Sequence, residues 1–548
     1  MAGLTLAWGA VIALIGVSGD FPLNDDWAYA RATLTFLETG RLERVGITWT
    51  PLFTHVALGS LFASLFGFSF EVLRACGLFM GWLGMLGTFV LCRGLGASAL
   101  PAALGAAVVG FNPLHVSLAF TFMTDVPFTA LATWSLVGWV FGITRRSPAA
   151  LAAAVVLAVA ATLSRQPGAA LLVGPAALLV AMRLRRPRVW LVAGAAAALA
   201  GALLAGFPAL FGASDQGHLF ELGDLWQRIR SPSAAFHVAR NVLGSLIYLG
   251  LFLAPATLCF VPARGAGRRV AWSIALAALP LAALAFTALR MPLAVNMMHG
   301  FRLGTLAMDG AETLPAMPPV LGWVVAGLGS ALGFLALGRL AALHVRGWRP
   351  ERLVLLAFAV LYLGVLGLVW PFFERWWLPV VPPLTALLLV PEAAAAGASR
   401  PLRAAGAALL VVLAVYGVAG TRDHLALQRA RWELLDGLLE AGVSPARIDG
   451  GFEFGGWFNY HPDPRRFQAR RRRWVVDDEY RVSLGGTPPG YREVASRSVT
   501  RWLPPGREKV WLYRRHPERH RESSPVPEAP QRARPKEPER PPRPGTDG

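Results

Sequence analysis

Apolar stretches long enough to cross a bilayer recur along most of this chain, and that recurrence limits its fold more than anything else. Residues 149–163 and 190–211 consist almost wholly of Ala, Leu, Val and Gly. Such runs, uninterrupted by charge and without period-two alternation, span a membrane as helices. Comparable runs lie near residues 2–19, 71–92, 99–120, 127–143, 168–182, 241–262, 270–289, 317–338, 353–370, 377–395 and 404–420. The pattern predicts an all-α polytopic membrane protein with about thirteen transmembrane helices. The segment 51–67 is apolar but short and carries His55 and Ser60, so it reads as a helix lying at the interface.

Composition excludes the soluble alternatives. Charged residues make up 16% of the chain, against about 25% for ordinary soluble domains. The formal charge of +19 does not indicate nucleic acid, because the arginines fall in short loops between spans and in a C-terminal tail. Of the 52 basic residues only Lys509 and Lys536 are lysines, a usage resembling that of GC-rich bacterial genomes. Cys76, Cys92 and Cys259 lie in or beside apolar runs and read as packing residues, not as a disulfide framework. The first apolar run lacks a basic leader and a small-residue cleavage site, so it reads as a retained first span.

Loop charges orient the frame. One set of loops holds Arg93, Arg145, Arg146, Arg183, Arg185, Arg186, Arg188, Arg264, Arg268, Arg269, Arg339, Arg346, Arg349, Arg352, Arg400 and Arg403, with only Glu351 and Glu392 among them. The alternate loops hold Asp20, Asp25, Asp26, Glu38, Glu43, Asp125, Asp215, Glu221, Asp224, Asp309, Glu312 and Glu374. The positive-inside rule puts the first set in the cytoplasm and the second outside. Asp25, Asp26, Asp125 and the C-terminal region are then expected on one, extracytoplasmic side of a bacterial inner membrane. Near residue 421 the composition changes. An amphipathic stretch over 421–441, a Gly-rich Ile448-Asp-Gly-Gly-Phe-Glu-Phe-Gly-Gly-Trp457 motif and alternating runs over 480–484, 493–502 and 509–513 predict a small α+β extracytoplasmic domain over 421–516. Residues 517–548, rich in Pro, Arg and Glu, read as a disordered tail. No internal repeat of fixed period is evident.

Three outward features carry chemistry. The first loop, residues 20–70, contains Asn24-Asp25-Asp26-Trp27-Ala-Tyr29. Asn24 or Asp25 can cap the helix that follows, but a cap uses one acid and leaves the second, with Trp27 and Tyr29, as candidates for a site. Thr124-Asp125-Val126-Pro127 opens the fourth span, where Asp125 is either a cap or part of the same site. Pro371-Phe-Phe-Glu374-Arg375-Trp-Trp-Leu-Pro379 lies at a late outward junction. Its tryptophans suit an interfacial belt, while the planar fork of Arg375 suits a lipid phosphate. Arg165, Arg290 and Arg302 are further outward cations, and His55 and His299 lie near these segments. No metal-ligand spacing is present, although clustered acids can hold a divalent ion loosely.

The order of these motifs, with Trp49-Thr-Pro-Leu52 between the first two, resembles the GT-C glycosyltransferases. It is closest to the bacterial dolichyl-phosphate-mannose–protein mannosyltransferase-like group, which includes the lipid A aminoarabinose transferases. The resemblance covers roughly residues 1–420 and implies a GT-C type transmembrane catalytic domain there. It further implies transfer of a sugar from a polyprenyl-phosphate donor to an acceptor (lipid, glycan or protein) on the outer face. Asp25 matches the family's first-loop acid, which acts as base, with Asp26 in the position of the following acid. Asp125 matches the acid that supports the site, and Arg375 the late arginine near the carrier phosphate. Glu374, Trp27, Tyr29, His55 and Arg302 are the remaining substrate-binding candidates. The charged pair that aminoarabinose transferases carry in the Glu-Lys-Pro-Pro stretch is absent from Trp49-Thr-Pro-Leu52, which argues against that substrate. No cofactor is required by such a reaction. The rival readings are a transporter or flippase for lipid-linked sugars, which predicts ionisable groups at mid-bilayer, and a non-catalytic envelope-assembly protein.

Overall fold

The computed structural model describes residues 1–48, 50–183, 187–211, 222–260, 296–300, 302–315, 317–344, 349–369, 372–391, 398–461, 474–475 and 477–517. Helices α1 (Ala2–Ile15), α2 (Asp26–Thr39) and α3 (Phe53–Phe66) precede α4 (Phe70–Gly94), α5 (Ala99–Gly110), α6 (Pro113–Ala119), α7 (Asp125–Thr144) and α8 (Pro148–Ser164). Next come α9 (Ala170–Arg183), α10 (Pro187–Phe211), α11 (Leu222–Arg230) and α12 (Ala234–Cys259). A short hairpin, β1 (Met298–His299) and β2 (Arg302–Leu303), leads to α13 (Pro319–His344), α14 (Pro350–Gly367) and α15 (Val381–Leu388). The chain then forms α16 (Arg400–Glu440), β3 (Ile448–Asp449), α17 (Phe452–Asn459), β4 (Tyr480–Ser483), β5 (Tyr491–Trp502) and β6 (Pro505–Arg515).

Among the described residues six helices are long and apolar enough to cross a membrane, or seven if the bent pair α5–α6 counts as one. The chain is thus a multi-pass membrane protein that also carries a small α+β region. The expected thirteen spans are not all of spanning length. Helices α1, α8 and the apolar part of α10 (Gly194–Gly206) are shorter, the segment 51–67 forms the short apolar helix α3, and the run at 270–289 lies outside the described residues.

Two predicted spans differ for identifiable reasons. The run at 99–120 bends by 61° between α5 and α6. Asn112 stops the first helix and caps the second by accepting from Leu114 N and His115 N, with Pro113 at the first helical position. Among the described residues of the run at 377–395, the helix is α15, preceded by a 3-10 turn over Glu374–Val380. Pro379, Pro382 and Pro383 remove the amide donors that a longer α-helix would need.

The C-terminal strands agree closely with the alternating runs. They form one sheet in the order β3-β4-β6-β5, parallel between β3 and β4 and otherwise antiparallel. Val482 sits opposite Leu512, and Val499, Val510 and Leu512 turn their side chains into the core. The compositional change near residue 421 is not a break in the backbone, since α16 runs straight through it. A single buried apolar core therefore extends from Trp8 and Val11 of α1 to Val510 and Leu512 of the sheet.

Candidate active site

The first-loop acids sit at the start of α2 and do different work. Asp26 is only 2% exposed, and its carboxylate accepts from Leu23 N at 2.6 Å and Phe122 N at 3.2 Å. Burial pushes this carboxyl up to about 8, opposed by those two amides and by Arg74, with Glu453 adding to the rise. Asp26 thus staples the first loop to the turn before α7. Asp25 stands at the N-cap position, yet its side chain makes no capping bond, so the expected helix cap is not formed. Its carboxylate is 32% exposed and lies 3.7 Å from Arg375 Nη2.

Asp125 is not a cap either. It is the first residue of α7, and its side chain turns sideways to pair with Arg165, at the end of α8. The Asp125 carboxylate is 2% exposed, and Oδ2 faces Arg375 Nε at 3.9 Å. Arg375 is presented by the proline-rich 3-10 turn and lies over the Phe373 ring. Among the described residues its Nε and Nη1 have no hydrogen-bond partner, nor does Asp125 Oδ2. Four segments distant in sequence therefore place Asp25, Arg375, Asp125 and Arg165 in one row of alternating charge. The Tyr29 phenol lies within electrostatic reach of all four, and burial raises its hydroxyl above the ordinary value.

The other candidates fall elsewhere. Glu374 is fully buried, and its Oε1 gathers the amides of Asn296, Met297 and Met298. It anchors the segment that enters β1, with its Oε1 committed to backbone amides. His55 is buried, stacked on Phe122 with its Nε2 against Phe122 O at 3.1 Å, and its ring meets the edge of Tyr29. Trp27 is not a substrate platform: its ring is fully buried against Phe452, Tyr460 and Trp474, where an aromatic surface of that size gains most. Arg302 lies on β2 and lines a small crevice with His424, Asp423 and Arg501, and the described ion pairs do not join it to the row of charges. Arg290 lies outside the described residues.

Some of the most consequential residues carry little sequence signal. Arg74, an isolated cation at the start of an apolar run, is buried and donates to the carbonyls of Val17, Gly19, Phe21 and Phe120. It gathers the beginning of the first loop onto the α6–α7 turn. Its position within a span was the available clue. The Gly-rich motif provides the other support. A Cβ at Gly456 would meet the Trp27 indole at 2.3 Å, so only glycine allows α17 this close to α2. Gly456→Ala is expected to cost about 1–3 kcal/mol through overpacking, read as a lowered thermal midpoint of the purified protein.

An apolar cavity is joined by one hydrogen bond to the turn that bears Arg375. Trp377, two residues after Arg375, donates its Nε1–H to Ser245 at 2.7 Å. Ser245 lines a cavity of about 510 Å³ walled by Leu249, Leu337, Leu340, Leu356, Leu363 and Leu384. Among the described residues no group of three His, Cys, Asp or Glu side chains converges as a metal site.

Residues 51–210 match the family model described as dolichyl-phosphate-mannose-protein mannosyltransferase. No curated protein sequence matches the chain. Among solved structures, the archaeal oligosaccharyltransferase AglB from Archaeoglobus fulgidus, in complex with an inhibitory peptide and a dolichol-phosphate, is 16% identical with a TM-score of 0.40. That match covers 82% of this chain and 58% of the archaeal one, so the chain spans less than two thirds of that relative. ArnT from Cupriavidus metallidurans bound to undecaprenyl phosphate is 14% identical with a TM-score of 0.36, over 93% of this chain and 98% of the other. The mycobacterial arabinofuranosyltransferase AftD is 14% identical with a TM-score of 0.34, over 94% and 40%. The family match includes Asp125 and Arg165, while Asp25 and Arg375 lie outside it. Over residues 51–210 the chain thus carries the pattern of the dolichyl-phosphate-mannose-protein mannosyltransferases, the group that its motifs resemble.

Proposed function

We propose that this protein is a membrane glycosyltransferase that moves a sugar from a polyprenyl phosphate to an acceptor hydroxyl on the extracytoplasmic face of a bacterial inner membrane. The observation that carries the reading is the meeting of Asp25, Arg375, Asp125 and Arg165 from four separate segments. Asp25, the more exposed acid, takes the acceptor proton as the acceptor oxygen attacks the anomeric carbon. The bond from that carbon to the phosphate oxygen breaks, and the polyprenyl phosphate leaves with the electron pair. The guanidinium of Arg375, with donors that no hydrogen bond occupies, meets the charge that grows on the leaving phosphate. Asp125 holds Arg165 and faces Arg375, and so fixes where that charge is met. A single displacement of this kind inverts the anomeric configuration. The cavity beside Trp377 suits a prenyl chain, whose phosphate would then lie toward Arg375.

The catalytic step uses only this chain's own side chains and calls for no cofactor. In this reading residues 1–420 form a GT-C type catalytic domain, and the sheet with α17 faces the same compartment as Asp25. The test is turnover of polyprenyl-phosphate hexoses and pentoses by the full-length protein in detergent, with and without lipid, glycan and peptide acceptors. Consumption of a donor with formation of an inverted glycoside is the expected result. A product of retained configuration would sink the one-base mechanism.

A further inference from the structure

We propose that Glu453 is a positioning residue for Asp25, through which the C-terminal region sets the geometry of the first-loop turn. The inference rests on the glycosyl-transfer reading of Asp25 and adds to it a role for the Gly-rich motif.

Glu453 and Arg431 form an ion pair at 2.9 Å in which neither side chain is exposed to solvent. Arg431 also donates to Gly450 O and to Gln428 Oε1 at 2.9 Å. Burying two charges is costly, and well-packed apolar residues usually stabilise a core as well or better. The pair therefore calls for a reason beyond stability, and its other contact supplies one. Glu453 Oε1 accepts from Asn24 N at 3.3 Å, while Oε2 takes Arg431.

Asn24 has a φ of 56°, in the left-handed region that asparagine enters more readily than most non-glycine residues, and the amides on and before it are held by side chains. Asp26 secures the amide before it, on Leu23, and Glu453 secures the amide of Asn24 itself. The backbone leading into Asp25 is thus held by two buried carboxylates, one on each of the two preceding amides. A second clasp lies one turn along α2, where Arg31 Nη1 donates to Gly456 O and Trp457 O at 3.3 Å.

The consequence lies in one distance. Asp25 stands 3.7 Å from Arg375, beyond the roughly 2.7–2.9 Å of a closed charge-assisted hydrogen bond. A turn released from Glu453 lets Asp25 close on Arg375. Closure lowers the proton affinity of the carboxylate and occupies the guanidinium meant for phosphate. The held turn keeps base and cation adjacent but separate.

The test compares Glu453→Gln with wild type in the full-length protein in detergent. Glu479→Ala is the control, since it breaks ion pairs with Arg447 and Arg514 in the sheet without contact to the first loop. Hydrogen–deuterium exchange over residues 20–31 needs no donor, and Glu453→Gln is expected to speed it while Glu479→Ala leaves it unchanged. In the transfer assay Glu453→Gln is expected to lower kcat by about 10- to 100-fold and to move its acid limb to lower pH. A merely smaller folded fraction scales the profile without moving it. If Glu453→Gln does not fold, Glu453→Asp keeps the charge opposite Arg431, shortens the reach to Asn24 and carries the same readings. Wild-type exchange over 20–31 in the folded variant, or an unmoved acid limb, overturns the proposal. A wild type inert toward every donor, with exchange still responding to Glu453→Gln, removes the transfer reading and leaves the clamp standing.

Discussion

Asp25→Asn is expected to lower the transfer rate by about 10²- to 10⁴-fold, the range that general-base catalysis supplies, while leaving the thermal midpoint close to wild type. The argument is one of position. Asp25 is the more exposed of the two neighbouring acids, it forms no helix cap, and its ion pair with Arg375 is long. The amide is isosteric and removes only the charge and the basicity. Initial rates with a saturating donor, alongside a melting curve in the same detergent, measure both halves. A variant that keeps more than about a tenth of the rate falls short of that range and moves the base to Asp26 or Asp125.

Asp125→Ala has the opposite signature. Asp125 and Arg165 are both buried, so truncating the acid leaves a desolvated guanidinium without its counter-charge. That situation typically costs about 3–5 kcal/mol. The expected result is a strongly lowered thermal midpoint and little monodisperse protein after extraction. Replacing both partners by apolar residues, Asp125→Leu with Arg165→Met, removes the orphan charge and should restore most of the stability without restoring transfer. A single Asp125→Ala variant as stable as wild type would show that the pair is solvated and that its role has been misread. The contrast between Asp25 and Asp125 separates the acid that reacts from the acid that holds the cations.

The sequence exposed the charged row because its members are rare in apolar surroundings. Asp25, Asp125 and Arg375 each interrupt or border a run of hydrophobic residues, where an ionisable group stands out. Loop charges also put them on one side. The division of labour between Asp25 and Asp26 was not legible, because it depends on an amide of Phe122, which lies far away in the chain. Trp27 illustrates the same limit. An indole at a membrane boundary suits either a substrate or a packing role, and only α17 and Trp474 decide it. The bend at Asn112-Pro113 did have a local signal, in a capping residue followed by a proline at the first helical position. Hydropathy averaging over 99–120 hid it.

Helix α16 has 41 residues, which at about 1.5 Å per residue gives a rod of roughly 60 Å. The hydrocarbon layer is only about 30 Å thick, so half of the rod stands clear of the bilayer and bears Arg431 on that half. A rod of this kind acts as a threaded spindle. Adding or removing one residue near position 421 would turn everything beyond it by about 100° and shift it by about 1.5 Å. Arg431 would then point away from Glu453, and α17 would lose its seat on the first loop. The length of the chain between bilayer and sheet is accordingly as fixed as the identity of any side chain in the charged row.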